Sequence, residues 1–221
     1  PFYYRARPEM LGILTAAGIN AVTVANAHSG DYGPTALVQQ KEILDALGIA
    51  SAGSGLTQQD AFYPTVCAVG ETRVALFSID TTQHRFSAGK SAPGTAYLSP
   101  QDRDVWRTVM EARFAQAKDK ADIVLVSVHW GARTTPTPKS NARALSHALI
   151  DAGADGVLGS IGPHLYGIEI YKSKPIIHGT GSLLSEAPRA WFRMGGLFRL
   201  GLGNTCLNWV EYLPVGIGYG F

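Results

Sequence analysis

The sequence predicts an α/β fold, a layered sandwich of mixed sheets with flanking helices and a β-rich C-terminal part. Three observations carry that expectation. Helix-type and strand-type periodicity alternate along most of the 221 residues. The helical segments close on Gly18, Gly48 and Gly153, each just ahead of a strand-like run. From Ile168 onward only strand-like runs follow one another. Helix-Gly-strand units followed by a β tail are the pattern of a partly parallel sheet covered by helices.

Pro8-Glu-Met-Leu-Gly-Ile-Leu-Thr-Ala-Ala has helical spacing, and a strand-like run follows from Asn20 to His28. Pro34 through Leu47 opens with proline in its first turn, the position where the missing N–H costs nothing. Ile49-Ala-Ser-Ala-Gly is a short strand, and Tyr63–Val69 with Arg73–Ile79 form a hairpin around Gly70-Glu71. Ser99-Pro-Gln-Asp is read as a capped helix start, with Val105, Val109 and Ala112 on one face of a helix reaching Lys120. A strand to His129, a Thr/Pro-rich loop from Thr134 to Pro138 and a helix from Asn141 to Ala152 come next. A strand then leads to His164, and Gly167–Tyr171, Ile176–Leu184, Leu197–Leu202 and Leu207–Tyr212 complete the set. Thr81 to Thr95 is the one long irregular stretch, a substrate loop or a plain exposed one.

Composition narrows the function classes. With 46% hydrophobic residues the chain can bury one sizeable core, and a single domain over residues 1–221 is expected. Nineteen Lys/Arg against seventeen Asp/Glu leave no cationic footprint for nucleic acid or an anionic bilayer. No apolar run reaches the roughly 20 residues of a membrane span. Cys67 and Cys206 sit in strand-like stretches, as inert buried thiols or as one disulfide. The chain starts at Pro1 without an initiator Met, which leaves its compartment open.

Four strand-like runs end on histidine, at His28, His129, His164 and His178. In open α/β sheets ligands bind beyond the carboxyl ends of the strands, and imidazole serves both metals and proton transfer there. Asn26-Ala-His28-Ser-Gly-Asp31 can present His28 as a general acid oriented by Asp31, or it can be a polar turn capped by Asn26 and Asp31. His129, followed by Trp130 and Gly131, suits a metal ligand beside an aromatic wall, or a core histidine bonded to a carbonyl. His164 follows Pro163, which fixes the backbone ahead of a ligand. His178-Gly-Thr-Gly lacks the helix a phosphate loop needs. His147 and His84 are expected at the surface.

These segments, in this order, resemble the bacterial capsule-synthesis family associated with poly-γ-glutamate, often called CapA-like. Ala25-Asn-Ala-His28 with Asp31-Tyr-Gly33, the run Ala121 to Gly131 ending His-Trp-Gly, Leu149 to Gly159, Gly162-Pro-His164 and Gly167-Ile-Glu-Ile-Tyr171 carry the resemblance. It implies a calcineurin-like metallophosphoesterase fold with a divalent-metal site (Mn, Mg or Zn) at strand ends. It further implies His28 as the proton donor and His129 and His164 as metal ligands. Asn26, Asp31, Arg133, Glu169 and His178 are candidate binding or supporting residues, Arg133 as a site for an anionic group. The implied partners are an anionic polymer or small anionic substrate and capsule-synthesis proteins, and the implied location is extracytoplasmic or membrane-associated.

The departures point to erosion. Ala27 stands where a metal-bridging asparagine is expected, Gly162 where a second histidine is expected, and Arg133 where a glutamate is expected. The family's opening strand, with a Gly-Asp carboxylate ligand, is expected ahead of Pro1. Asp31, Asp80, Glu169 and Glu186 are the candidate substitute carboxylates. Two expectations follow: a metal-dependent hydrolase with a partly eroded site, or a non-catalytic member binding an anionic polymer or a synthase partner.

Overall fold

A computed structural model describes residues 3–130, 140–160, 165–183, 194–203 and 205–216. Its centre is a six-stranded sheet built from β4 (Thr65–Val69), β5 (Thr72–Asp80), β7 (Ile123–His129), β8 (Gly156–Ser160), β10 (Lys174–Ile177) and β9 (Ile168–Tyr171), in that spatial order. Strands β5, β7, β8 and β10 run parallel, and antiparallel β4 and β9 close the two edges. Such a mixed sheet is what the alternating periodicity predicts.

The two faces of the sheet are covered differently. Ala75, Phe77 and Ile79 of β5, Val124, Val126 and Val128 of β7, and Val157 and Ile176 point to one side. There they meet α4 (Arg103–Lys118) and α5 (Ser140–Asp151) in the main core. From α4 that core takes Trp106, Met110, Phe114 and Ala117, spaced at helical period, while Val105 is exposed. The buried stripe is thus rotated from the Val105-Val109-Ala112 face read in the sequence, because the larger side chains win the interior. The helix cap is also displaced: Asp102 accepts the Val105 N–H at 3.1 Å, and the Ser99 carbonyl accepts Trp106 Nε1–H at 2.7 Å.

The opposite face carries a second β layer. The parallel pair β1 (Ala21–Thr23) and β2 (Ala50–Ala52) lies over β4 and β5, backed by α1 (Gly12–Ala16) and α2 (Gly33–Ala46). Val24, Leu44 and Ile49 form the small core between them with Leu11, Leu14 and Val22. Beside them β3 (Ser54–Gly55), followed by the short α3 (Gln58–Ala61), pairs with β6 (Gly94–Thr95). Thr81 to Thr95 is irregular apart from a turn at His84–Phe86 and β6, and it is tied to the fold by the Ala88 N–H on the Thr95 carbonyl and the Gln58 N–H on the Gly89 carbonyl. Lower on the same face the hairpin β11 (Met194–Leu202) and β12 (Leu207–Gly216) seats Leu200, Leu202 and Leu207 on Val74, Ile123 and Leu125. Helices outside two β layers make the layered sandwich that the sequence predicts.

Both cysteines are free thiols, Cys67 half-buried and Cys206 exposed, so neither the disulfide nor a buried Cys206 is found. Among the described residues no helix is long and apolar enough to cross a membrane.

Gly53 sets the seat of the upper β layer. Its φ of +106° is a conformation that L side chains rarely adopt, and a Cβ there would stand 2.7 Å from Ser78 and 2.8 Å from Ala25. Gly53→Ala is expected to lose about 1–3 kcal/mol, lowering the melting temperature by about 2–10 °C. An unchanged melting curve by circular dichroism would contradict this seating.

Candidate functional site

Parallel register brings three strand ends to one level. Asp80, His129 and Ser160 are direct neighbours across β5, β7 and β8. Alternation along the strands puts them on the same face as Ser78 and Ser127, which is the face covered by β1. The Ser78 hydroxyl accepts the Ala25 N–H at 3.2 Å, and the Ser127 and Thr23 hydroxyls lie 3.3 Å apart. These contacts hold the chain leading to His28 over the edge where His129 ends.

Asp80 is fully buried and spends its carboxylate locally. One oxygen accepts the Thr82 N–H at 3.0 Å and the Thr82 hydroxyl at 2.6 Å, and the other accepts the Gln83 N–H at 3.0 Å. The His129 carbonyl accepts both the N–H and the hydroxyl of Thr81, and the ring Nδ1 lies 3.3 Å from the Ser160 hydroxyl. Burial holds the His129 imidazole below its ordinary pKa against the pull of the Asp80 carboxylate, and the charge available to His28 adds to the lowering. His129 is therefore a neutral imidazole at neutral pH.

Strand β1 stops at Thr23, short of His28, because the chain turns. The Asn26 side-chain oxygen accepts the His28 N–H at 2.9 Å, the Ser29 hydroxyl accepts the Asn26 N–H at 3.1 Å, and Ser29 donates to the Val24 carbonyl. Gly30 lies against the Phe86 ring, where a Cβ would meet it at 2.3 Å. Within this turn His28 Nδ1 is 2.8 Å from Asp31 Oδ2, and Asp31 also accepts the Tyr4 N–H at 2.9 Å. The Tyr4 ring stands edge-on to His28 at 4.4 Å. The Asp31 side chain is 3% exposed while that of His28 is 44% exposed. Burial alone would raise the Asp31 carboxyl, but the bonds from Tyr4 and His28 and the charges of His28 and Arg85 outweigh it and hold it below its ordinary value. Asn26 caps the backbone of the turn, and Asp31 stands within hydrogen-bond reach of the His28 ring.

A second polar cluster lies on the helical side of the same edge. Glu169 pairs across β9–β10 with Ile176, a main-core residue, so its side chain faces α5. Glu169 takes Arg143 in a bidentate pair at 2.8–3.0 Å, His147 Nε2 at 2.8 Å and His178 Nε2 at 3.0 Å. The Arg143 bonds, against some burial and with help from both histidines, bring the Glu169 carboxyl down to about 2. His147 stacks on Tyr171 at 3.8 Å, and His178 is 5% exposed with its Nδ1 buried and unbonded among the described residues. His147 is thus not the plain surface histidine expected from its helix. Glu169 and His178 lie across the sheet from His28 and His129.

Asn26 and Asp80 have their oxygens engaged by backbone and hydroxyl groups of their own turns. Among the described residues no group of three His, Cys, Asp or Glu side chains is placed to hold a metal ion. These donors do not make a complete set for a divalent cation, which needs three or more protein ligands. His164, Arg133 and Glu186 lie outside the described residues. Sequence reasoning missed Tyr4, whose role is made by its backbone N–H, and the placement of the Ser160 hydroxyl beside His129, which strand register makes.

The chain matches the family described as "Bacterial capsule synthesis protein PGA_cap" over residues 1–187. It is similar to a Mycobacterium tuberculosis protein named probable polyglutamine synthesis accessory protein, with 33% identity over 192 residues, 84% of this chain and 50% of the relative. It is similar also to the Bacillus subtilis PGA biosynthesis protein CapA, 26% identical over 97% of this chain and 55% of the relative. The Bacillus anthracis capsule biosynthesis protein CapA is 26% identical over 85% of this chain and 45% of the relative. The chain spans about half the length of the curated relatives it matches.

Glu169 generates a pH prediction. A carboxyl held at about 2 when folded and near its ordinary 4.5 when unfolded stabilises the fold above the higher value and loses that contribution as pH falls through the lower one. Glu169→Gln is expected to melt a few degrees below wild type at neutral pH, with the gap closing between about pH 5 and pH 2. Melting curves that stay parallel over this range would contradict the Glu169 assignment.

Proposed function

We propose that this chain, which belongs to the bacterial capsule synthesis family, serves the biosynthesis of an anionic capsule polymer of the poly-γ-glutamate type. Its own contribution is proton transfer by His28 at a bond of that polymer or of a smaller anionic substrate. The observation that supports this most is the His28–Asp31 pair. A buried, ionised carboxylate accepting from Nδ1 fixes the imidazole tautomer and its direction. Nε2, which has no bond among the described residues, is left to give or take a proton at the half-exposed edge. The neutral His129 ring supplies a second imidazole at the same edge. The names of the relatives support the polymer class, and the word accessory in one of them supports a synthesis partner. No step here runs through a metal, because the described donors do not complete a set for one.

One observation favours a second reading. The Asp80 carboxylate, the acid nearest His129 in register, is consumed by Thr82 and Gln83. That suits a non-catalytic member that holds the polymer or a synthase partner on a metallohydrolase-like frame. Size-exclusion chromatography of poly-γ-glutamate incubated with the protein, with and without Mn²⁺ or Zn²⁺, separates the two. The catalytic reading expects chain shortening that His28→Ala slows by about 100-fold or more and Asp31→Asn by less. Polymer length unchanged under every metal condition, with polymer still bound, would leave the binding reading standing.

A further inference from the structure

The turn that holds His28 is flanked by the guanidinium groups of Arg5 and Arg85, which, like Arg7, Arg103 and Arg113, face no carboxylate among the described residues. Arg73, Arg107, Arg143 and Arg199 each face a carboxylate. Arg5 and Arg85, both exposed, make no ion pair among the described residues. Arg5 lies 5.3 Å over the Tyr32 ring, next in sequence to Asp31. Arg85 lies 4.6 Å over Phe86, the ring against which Gly30 packs, and it is close enough to help hold the Asp31 carboxyl down. Asp31, in the middle of the turn, is buried and already bonded to Tyr4 and His28. Around it Tyr3, Tyr4 and Tyr32 are 54%, 64% and 49% exposed, and Tyr3 meets Tyr32 edge-on at 6.4 Å.

Exposed aromatic rings beside these two guanidiniums form a surface that an anionic ligand can use. The aromatic faces hold the guanidinium planes in place, so little side-chain freedom is lost when an anion arrives. A guanidinium offers paired N–H donors that match the two oxygens of a carboxylate or phosphate. We propose that Arg5 and Arg85 form a two-point oxyanion clamp that places a negatively charged group of the substrate beside His28, over a rim of Tyr3, Tyr4 and Tyr32. This inference rests on the reading of His28 as the proton-transfer residue for an anionic substrate, and it names the residues that select that charge.

Fluorescence anisotropy with three labelled probes tests it: γ-linked decaglutamate, a polyphosphate of equal length and a neutral decaglutamine. At about 50 mM NaCl, where exposed charges are weakly screened, wild type is expected to bind an anionic probe and not decaglutamine. Arg5→Gln/Arg85→Gln is expected to raise Kd for that probe by about tenfold or more. Arg107→Gln, on a helix across the sheet, is expected to stay within about twofold. Matching melting curves establish that the variants fold. Decaglutamate binding unchanged in the double variant overturns the clamp and leaves the polymer reading intact. Equal binding of decaglutamine also overturns the clamp. Polyphosphate preferred, with the same dependence on Arg5 and Arg85, upholds the clamp and removes the polyglutamate part of the reading. Wild type binding neither anion overturns both.

Discussion

The register of the parallel strands β5, β7 and β8 decides which side chains end at the edge beside His28. It is pinned by the buried row Ala75, Phe77, Ile79, Val124, Val126, Val128 and Val157 against Trp106, Met110 and Phe114. A slip of one residue would turn every side chain to the opposite face. His129 would then point into the helical core, and Val128 would face β1. Because the apolar row forbids that, Asp80, His129 and Ser160 end level on one face. The same face offers Ser78 to the Ala25 N–H, so the turn carrying His28 is hung from the central sheet.

A second consequence is the separation of two polar clusters that sequence order makes look like one. His28, Asp31, Asp80 and His129 lie on the β-layer side, while Arg143, His147, Glu169 and His178 lie on the helical side. Their chemistry differs accordingly. On the helical side a carboxylate is held by three cationic or imidazole partners and ties the edge strand β9 to α5, which is a stabilising arrangement. On the other side an imidazole is held by one buried carboxylate and stands half-exposed.

Local signals were legible in the sequence wherever one residue type decides the outcome. Gly18, Gly48 and Gly153 do stop helices, with φ of +70°, +71° and +114°. The α/β alternation and the His129 strand end were readable for the same reason. Features made by backbone atoms or by distant pairing were not. The Tyr4 N–H on Asp31 spans 27 residues and carries no side-chain signature. Ser160 reaches His129 only through register. His147 reads as a surface helix position until the edge strand brings Glu169 to it. The shift of the α4 cap from Ser99 to Asp102 has a similar cause, since burial of Trp106 draws Ser99 into a bond with the indole.

The central claim is that Asp31 fixes the protonation and direction of the His28 ring. Long-range ¹H–¹⁵N correlation NMR of the imidazole nitrogens measures this directly. At a pH where His28 is neutral, the account predicts a proton on Nδ1 and a bare Nε2, with Asp31→Asn erasing that preference. A ring protonated mainly on Nε2, or a tautomer ratio indifferent to Asp31→Asn, would contradict it.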